Sequence, residues 1–262
     1  METAKKNEQG FTGLVSIMER LRSPEGCPWD RQQTMESLRT YLVEEVYEVI
    51  EAIDSGDREA LKEELGDLLF HILFLSQIAK EENTFDIWAV IDRISNKMVS
   101  RHPHVFGEMD VSSPGEVEKN WFDLKNKEKN HRKSILDGIP RQLPALLRAY
   151  RLTERASRVG FDWQKRDDVL GKLDEELDEL NQALSEGHQE KIEGEVGDIL
   201  FVLVNLARLT GSNPEEALRR TTEKFIRRFH HIEVTLEGSH KTLKEASLEE
   251  MDRLWEQAKW KE

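Results

Sequence analysis

Glu64-Leu65-Gly66-Asp67-Leu68-Leu69-Phe70 returns as Glu195-Val196-Gly197-Asp198-Ile199-Leu200-Phe201, an offset of 131 positions. Self-similarity at one fixed offset marks two copies of one structural unit. The same offset holds upstream, where Glu44-Glu45-Val46-Tyr47-Glu48 aligns with Glu175-Glu176-Leu177-Asp178-Glu179. The spacing between the two acidic motifs is therefore kept in both halves. Further out, Trp29-Asp30 resembles Phe161-Asp162, Lys97 to Arg101 matches Lys224 to Arg228, and Trp121 to Lys125 matches Trp255 to Lys259, always in the same order. Small changes of offset between these pairs place insertions and deletions in the loops. The reading is two tandem domains, 1–130 and 131–262, with the seam in the polar stretch Asn126 to Ser134.

Each half reads as several helices. Apolar residues recur every three or four positions from Leu38 to Ile53 and from Leu170 to Leu184, as an amphipathic helix requires. Turn residues then break the chain at Asp54-Ser55-Gly56-Asp57 and Ser185-Glu186-Gly187-His188. The next helices, Arg58 to Lys80 and Gln189 to Leu209, begin charged and become apolar, so their later turns are expected in the core. No run alternates as a strand would, and the fold class is all-α.

Composition agrees and excludes some functions. Charged residues make up 34% and hydrophobic ones 37%, with few aromatics, the make-up of a helical protein. A formal net charge of -14 argues against nucleic-acid binding, which needs a Lys/Arg-rich surface. The single cysteine, Cys27, excludes an internal disulfide and fits a reducing compartment. The polar start carries no secretion signal, and the most apolar run, Leu65 to Ala79, is too short to span a bilayer. A soluble, cytoplasmic protein without a membrane partner is expected.

On a helix, residues three apart share a face. Glu45 with Glu48, and Glu64 with Asp67, therefore form two pairs that a helix hairpin can bring face to face; Glu176, Glu179, Glu195 and Asp198 repeat the arrangement. In an acidic chain such pairs usually belong to a solvated surface. Their recurrence at fixed spacing, each beside a helix-interior glycine (Gly66, Gly197) that costs helix stability, favours a purpose. Four converging carboxylates repel one another and lose hydration unless cations fill the site. All-oxygen ligands select hard ions, Mg²⁺ first and Mn²⁺ as the alternative. The glycine reads either as close helix approach beside metal or as plain packing. Without a Glu-x-x-His motif, a ferritin-like di-iron centre is disfavoured.

At these residues the chain resembles the MazG family of nucleoside triphosphate pyrophosphohydrolases, in its two-copy bacterial form. The resemblance includes both quartets and also Gly26-Cys27-Pro28-Trp29-Asp30, Arg101-His102-Pro103-His104-Val105-Phe106, Ile139-Pro140-Arg141-Gln142-Leu143-Pro144 and Val159-Gly160-Phe161-Asp162-Trp163. The family is similar to all-α dUTPases and phosphoribosyl-ATP pyrophosphohydrolases. The resemblance implies hydrolysis between the α- and β-phosphates of NTPs, or dNTPs, with broad base acceptance. It implies Glu176, Glu179, Glu195 and Asp198 as catalytic Mg²⁺ ligands, and Lys224, Arg228, Trp255, Lys259 and, more weakly, Lys172 as nucleotide contacts. Lys224 and Arg228 share a helix face and suit phosphate oxygens, although ordinary surface charge explains them too. Trp255 reads as core packing or as a base-stacking platform.

The first half keeps the same set: Glu45, Glu48, Glu64 and Asp67 for metal, and Lys97, Arg101, Trp121 and Lys125 for nucleotide. It is either a second active site or a scaffold. Two-copy members are usually credited with catalysis in the second copy. Cys27 reads as packing, His102 and His104 as loop-ordering, and Asp30 and Asp162 as turn or cap residues. A homodimer is implied by the family, with the physical motive that a small helical hairpin completes a four-helix bundle with a partner. The rival functions are a regulatory protein that binds nucleotide and metal without turnover, and a narrower hydrolase for one modified or deoxy nucleotide.

Overall fold

The computed structural model describes residues 10–117, 120–121 and 134–260, and all regular structure among them is helical. The chain divides into two compact units, Met1–Asn130 and His131–Glu262. The first contains α1 (Gly10–Arg22), α2 (Pro28–Gln32), α3 (Leu38–Ser55), α4 (Arg58–Glu81), α5 (Ile87–Arg101) and α6 (Pro103–Phe106). The second contains α7 (Ala145–Ser157), α8 (Arg166–Glu186), α9 (Gln189–Leu209), α10 (Pro214–Gly238) and α11 (Leu248–Lys259). Of the expected seam, Asn126 to Ser134, residues 126–133 lie outside the described residues, as does Lys125.

In each unit a helix hairpin is the frame, and its turn is written in the sequence. Gly56 closes α3 in the left-handed region at φ 73°, and Gly187 closes α8 at φ 71°, a conformation that costs glycine nothing. Asp57 then caps α4, its carboxylate accepting the backbone N–H of Glu59 (2.9 Å) and Ala60 (3.1 Å). So short a connection makes α3 and α4 antiparallel neighbours, and the same holds for α8 and α9.

The later turns of α4 form the core of the first unit. Phe74 and Ile78 pack with Met18 of α1 and Leu38 of α3. Every face of the Arg22 guanidinium at the end of α1 is used. Its Nε and Nη2 donate to the Glu81 carboxylate (2.9 and 2.7 Å), Nη1 donates to the carbonyls of Asp30 and Gln33, and its guanidinium lies 5.3 Å from the Phe74 ring centre. Those hydrogen bonds hold the Glu81 carboxyl below the ordinary carboxylate range.

In the second unit α9 packs against both α7 and α8. Val202, Val204 and Asn205 of α9 are buried, as are Val169, Glu176 and Ala183 of α8. A separate core joins α10 and α11, where Ile232, Leu236 and Leu254 are surrounded by Phe229, Met251 and Trp255. Exposed apolar side chains form stripes at helical spacing, Leu65, Leu69 and Ile72 on α4 and Val196, Leu200 and Leu203 on α9. A Cβ added at Gly66 or Gly197 meets nothing within 4 Å, so packing among the described residues does not require either glycine. No helix among the described residues is long and apolar enough to cross a membrane.

Candidate functional site

The hairpins bring the acids together. In the first unit Glu45 and Glu48 of α3 and Glu64 of α4 each offer one oxygen, all within 4.8 Å of one another; Glu176 and Glu179 of α8 and Glu195 of α9 do the same in the second. Asp67 and Asp198, a turn further along their helices, fall outside these tight groups. Asp67 is still close enough for its charge to act on Glu45 and Glu64. Asp198 lines a cavity together with Glu176.

Their electrostatics are those of crowded anions. Burial, then the charges of Glu48, Asp67 and Glu44, push the Glu45 carboxyl above the ordinary range, with His71 opposing. Desolvation first and neighbouring carboxylates second do the same to Glu64, and to Glu179 beside Glu176 and Glu195. One Glu45 oxygen, Oε2, is buried among the described residues with no hydrogen-bond partner. A buried acceptor without a donor costs free energy that a bound cation would recover. The donor set, carboxylate oxygen alone, suits Mg²⁺ or Mn²⁺, so these residues fit a divalent ion.

The two clusters have different flanks. Lys172, one turn before Glu176, places Nζ 2.9 Å from Glu176 and 2.7 Å from Glu175, and these hydrogen bonds raise its pKa so that it stays charged. The residue in register in the first unit is Tyr41, whose ring stacks on His71 at 6.3 Å and meets Trp29 edge-on at 6.0 Å. His71 Nδ1 lies 3.8 Å from Glu45 and 3.1 Å from the Asp67 carbonyl. His71 is not among the residues expected from the acidic spacing, although its place one turn after Asp67 puts it on the same helix face.

A cavity of about 650 Å³ opens beside the second cluster, lined by Lys172, Glu176 and Asp198 together with Leu152, Thr153 and Asn205. The segment Gly160 to Trp163 lines it as well. Asp162 fixes that segment to α9 through a two-pronged ion pair with Arg208, with Nη1 to Oδ2 at 3.0 Å, and accepts the Trp163 N–H at 2.8 Å. The Arg208 hydrogen bonds keep the Asp162 carboxyl below its ordinary range. Asp162 is thus a turn residue with a long-range anchor 46 positions away.

The remaining candidates lie on other helices. Lys224 and Arg228 are on α10, Trp255 and Lys259 on α11. The Arg228 guanidinium lies 5.5 Å from the Trp255 ring centre, and Phe225 meets the same ring at 5.2 Å. Lys259 donates to Glu256. In the first unit Lys97 borders a groove on α5 with Phe85, Arg93 and Ile94, and buried Arg101 lies 5.5 Å from the Trp121 ring centre.

A profile of the MazG nucleotide pyrophosphohydrolase domain matches this chain twice, at residues 33–106 and 164–233. The chain belongs to the MazG nucleotide pyrophosphohydrolase family. Membership makes it an enzyme of the nucleotide pyrophosphohydrolase class, which acts on acid anhydrides. It is 48% identical over 250 residues to the nucleoside triphosphate pyrophosphohydrolase/pyrophosphatase MazG of Thermotoga maritima, with 95% of each chain covered. It is 43% identical over 256 residues to the nucleoside triphosphate pyrophosphohydrolase of Escherichia coli K12, covering 95% of this chain and 97% of that one. A crystal structure of a mazG-related protein from Thermotoga maritima aligns with 43% of this chain and 96% of its own at 34% identity and a TM-score of 0.38. The two MazG matches contain both acidic clusters, Lys172, Lys97, Arg101, Lys224 and Arg228. Trp121, Trp255, Lys259 and the Gly160 to Trp163 segment lie beyond them.

Proposed function

We propose that the second unit hydrolyses nucleoside triphosphates between the α- and β-phosphates, giving a nucleoside monophosphate and pyrophosphate, with Mg²⁺ held by Glu176, Glu179, Glu195 and Asp198. The observation that carries this reading is the convergence of Glu176, Glu179 and Glu195 from two helices to within 4.8 Å, with an ammonium at their edge. A bound divalent ion supplies Lewis acidity to phosphoryl oxygens and lowers the pKa of water. The chain's own residues bind and orient. The carboxylates fix the ion's place on a rigid hairpin, and Lys172, held by Glu175 and Glu176, presents positive charge to the phosphate tail. Lys224, Arg228 and Lys259 add cationic contacts for the same tail, with Trp255 positioning Arg228.

Glu45, Glu48, Glu64 and Asp67 form a second cation site in this reading, with Lys97, Arg101, Trp121 and Lys125 assigned to nucleotide by their register in the repeat. It is assigned binding rather than turnover, because Tyr41 stands where the second unit has Lys172. Incubating the purified chain with Mg²⁺ and a panel of NTPs and dNTPs, followed by phosphorus NMR, should yield monophosphate and pyrophosphate from several bases. Diphosphate and orthophosphate as products, or binding without turnover, would refute the assignment. Turnover of one deoxy or modified nucleotide alone would replace broad base acceptance with a narrow one.

The proposal includes a second copy of the chain as partner. The stripes Leu65, Leu69, Ile72 and Val196, Leu200, Leu203 leave apolar surface in water that a facing helix pair would cover. Sedimentation equilibrium should give twice the 30.5 kDa chain mass, and a monomer at micromolar concentration would contradict it.

A further inference from the structure

We infer that the cavity beside Glu176 receives the nucleoside end of the substrate, with Asn205 facing the polar edge of the base and Phe161 and Trp163 supplying ring contact at its mouth. This inference rests on the hydrolase reading above. Its volume, about 650 Å³, lies within the range of roughly 300 to 1,000 Å³ over which proteins enclose small ligands. Lys172, Glu176 and Asp198 belong to its lining, so a triphosphate tail at the carboxylates has the cavity next to it for the remainder of the molecule.

The lining has the chemistry of a base site. It is largely apolar, with the polar side chains of Thr153, Glu176 and Asn205 buried in its wall. Thr153 donates its hydroxyl to the Tyr150 carbonyl at 3.0 Å. Asn205, 8% exposed, spends one amide N–H on the Phe201 carbonyl at 3.1 Å. A primary amide has a second N–H and an oxygen, and a nucleobase edge is made of donors and acceptors that pair with these. Phe161 lines the cavity yet is 82% exposed, on a segment that the Asp162–Arg208 ion pair holds in place. A phenyl ring so placed can cover a base face irrespective of the base's identity.

The repeat provides an internal comparison. At the 131-residue offset Asn205 corresponds to Phe74, which is 2% exposed and packed with Met18, Leu38 and Ile78 beneath the Arg22 guanidinium. Where one copy has a core aromatic, the other has a buried amide and open space. An amide that lines open space and has one N–H and its oxygen to offer is placed to pair with a ligand there. Trp255, by contrast, already meets Phe225 and Arg228.

The test uses the full chain with three variants, Asn205→Phe, Phe161→Ala and Trp163→Ala, and follows KM and kcat for several NTPs together with inhibition by inorganic tripolyphosphate. Asn205→Phe should raise KM at least about 10-fold for every nucleotide, and Phe161→Ala and Trp163→Ala between about 5- and 100-fold, the scale of one base-stacking contact. Tripolyphosphate, which has no nucleoside, should inhibit all of them as it does the wild type. Unchanged KM in the two aromatic variants would overturn the inference, and because Phe161 is exposed this outcome counts even if Asn205→Phe does not fold. If the wild type turns over no NTP, the hydrolase reading fails on its own. Equilibrium dialysis of nucleoside monophosphate then decides the cavity, with weakened binding in the variants supporting it and equal binding refuting it.

Discussion

Glu176→Gln should lower kcat/KM for NTP hydrolysis on the order of 10³-fold while the melting temperature stays within a few degrees of the wild type. Glutamine keeps the shape of the side chain and removes its charge. Two things are lost at once. Glu176 is a member of the three-carboxylate cluster, and it also holds Lys172 at 2.9 Å. Removing one preorganised electrostatic group at a reaction centre costs roughly 10²- to 10³-fold, and here both a proposed cation ligand and the anchor of a second cationic group go together. Glu45→Gln, the matched change in the first unit, should alter the rate less than about twofold. Steady-state rates on the two single variants decide between one working unit and two, since comparable losses from both would mean that the first unit also turns over substrate.

Removing divalent cations should abolish turnover and change how stability responds to pH. Any ligand that binds only the folded protein stabilises it, by about 2.7 kcal/mol at a hundred times its Kd. For a unit of this size that corresponds to a melting temperature higher by roughly 10 °C with Mg²⁺ than with chelator. The sign of the pH effect follows from Glu45, Glu64 and Glu179, whose carboxyls are pushed above the ordinary value of 4.5, chiefly by desolvation. Between 4.5 and those raised values the folded chain holds more protons than the unfolded one. In chelator, therefore, stability rises as pH falls through that window. Below it, Glu81 and Asp162, held below their ordinary values by Arg22 and Arg208, begin to protonate and stability is lost. With Mg²⁺ saturating, protons compete with the ion for the same oxygens, so the upper window should instead show stability falling as pH falls. Thermal scans from neutral to acid pH, with and without Mg²⁺, should show opposite slopes.

What can be read from the sequence is what depends on local geometry. The helices on either side of Gly56 and Gly187 follow from apolar spacing and turn chemistry. The meeting of Glu45 and Glu48 with Glu64 needs only a three-residue spacing and a short hairpin. The unread parts depend on contacts between distant segments. Nothing local links Asp162 to Arg208, and a cavity exists only once α7 has packed on α9. The exchange of Phe74 for Asn205 is visible in the repeat, but its meaning requires knowing that Phe74 lies in a core. Periodicity alone leaves Trp255 open between core and base platform. Packing places its ring against Phe225, beside the cluster of Ile232, Leu236 and Leu254. Gly66 and Gly197 read as close helix approach beside metal or as plain packing, yet open space adjoins both, because what a glycine permits cannot be told from its presence in a helix.

The decisive experiment is an anomalous difference map from crystals grown with Mn²⁺ and an NTP analogue that carries a methylene bridge between its α- and β-phosphates. Manganese peaks among Glu176, Glu179 and Glu195, with phosphate oxygens on the open side of the ions, would bear out the metal-held triphosphate. Nucleotide bound elsewhere, with those three carboxylates free of metal, would contradict it.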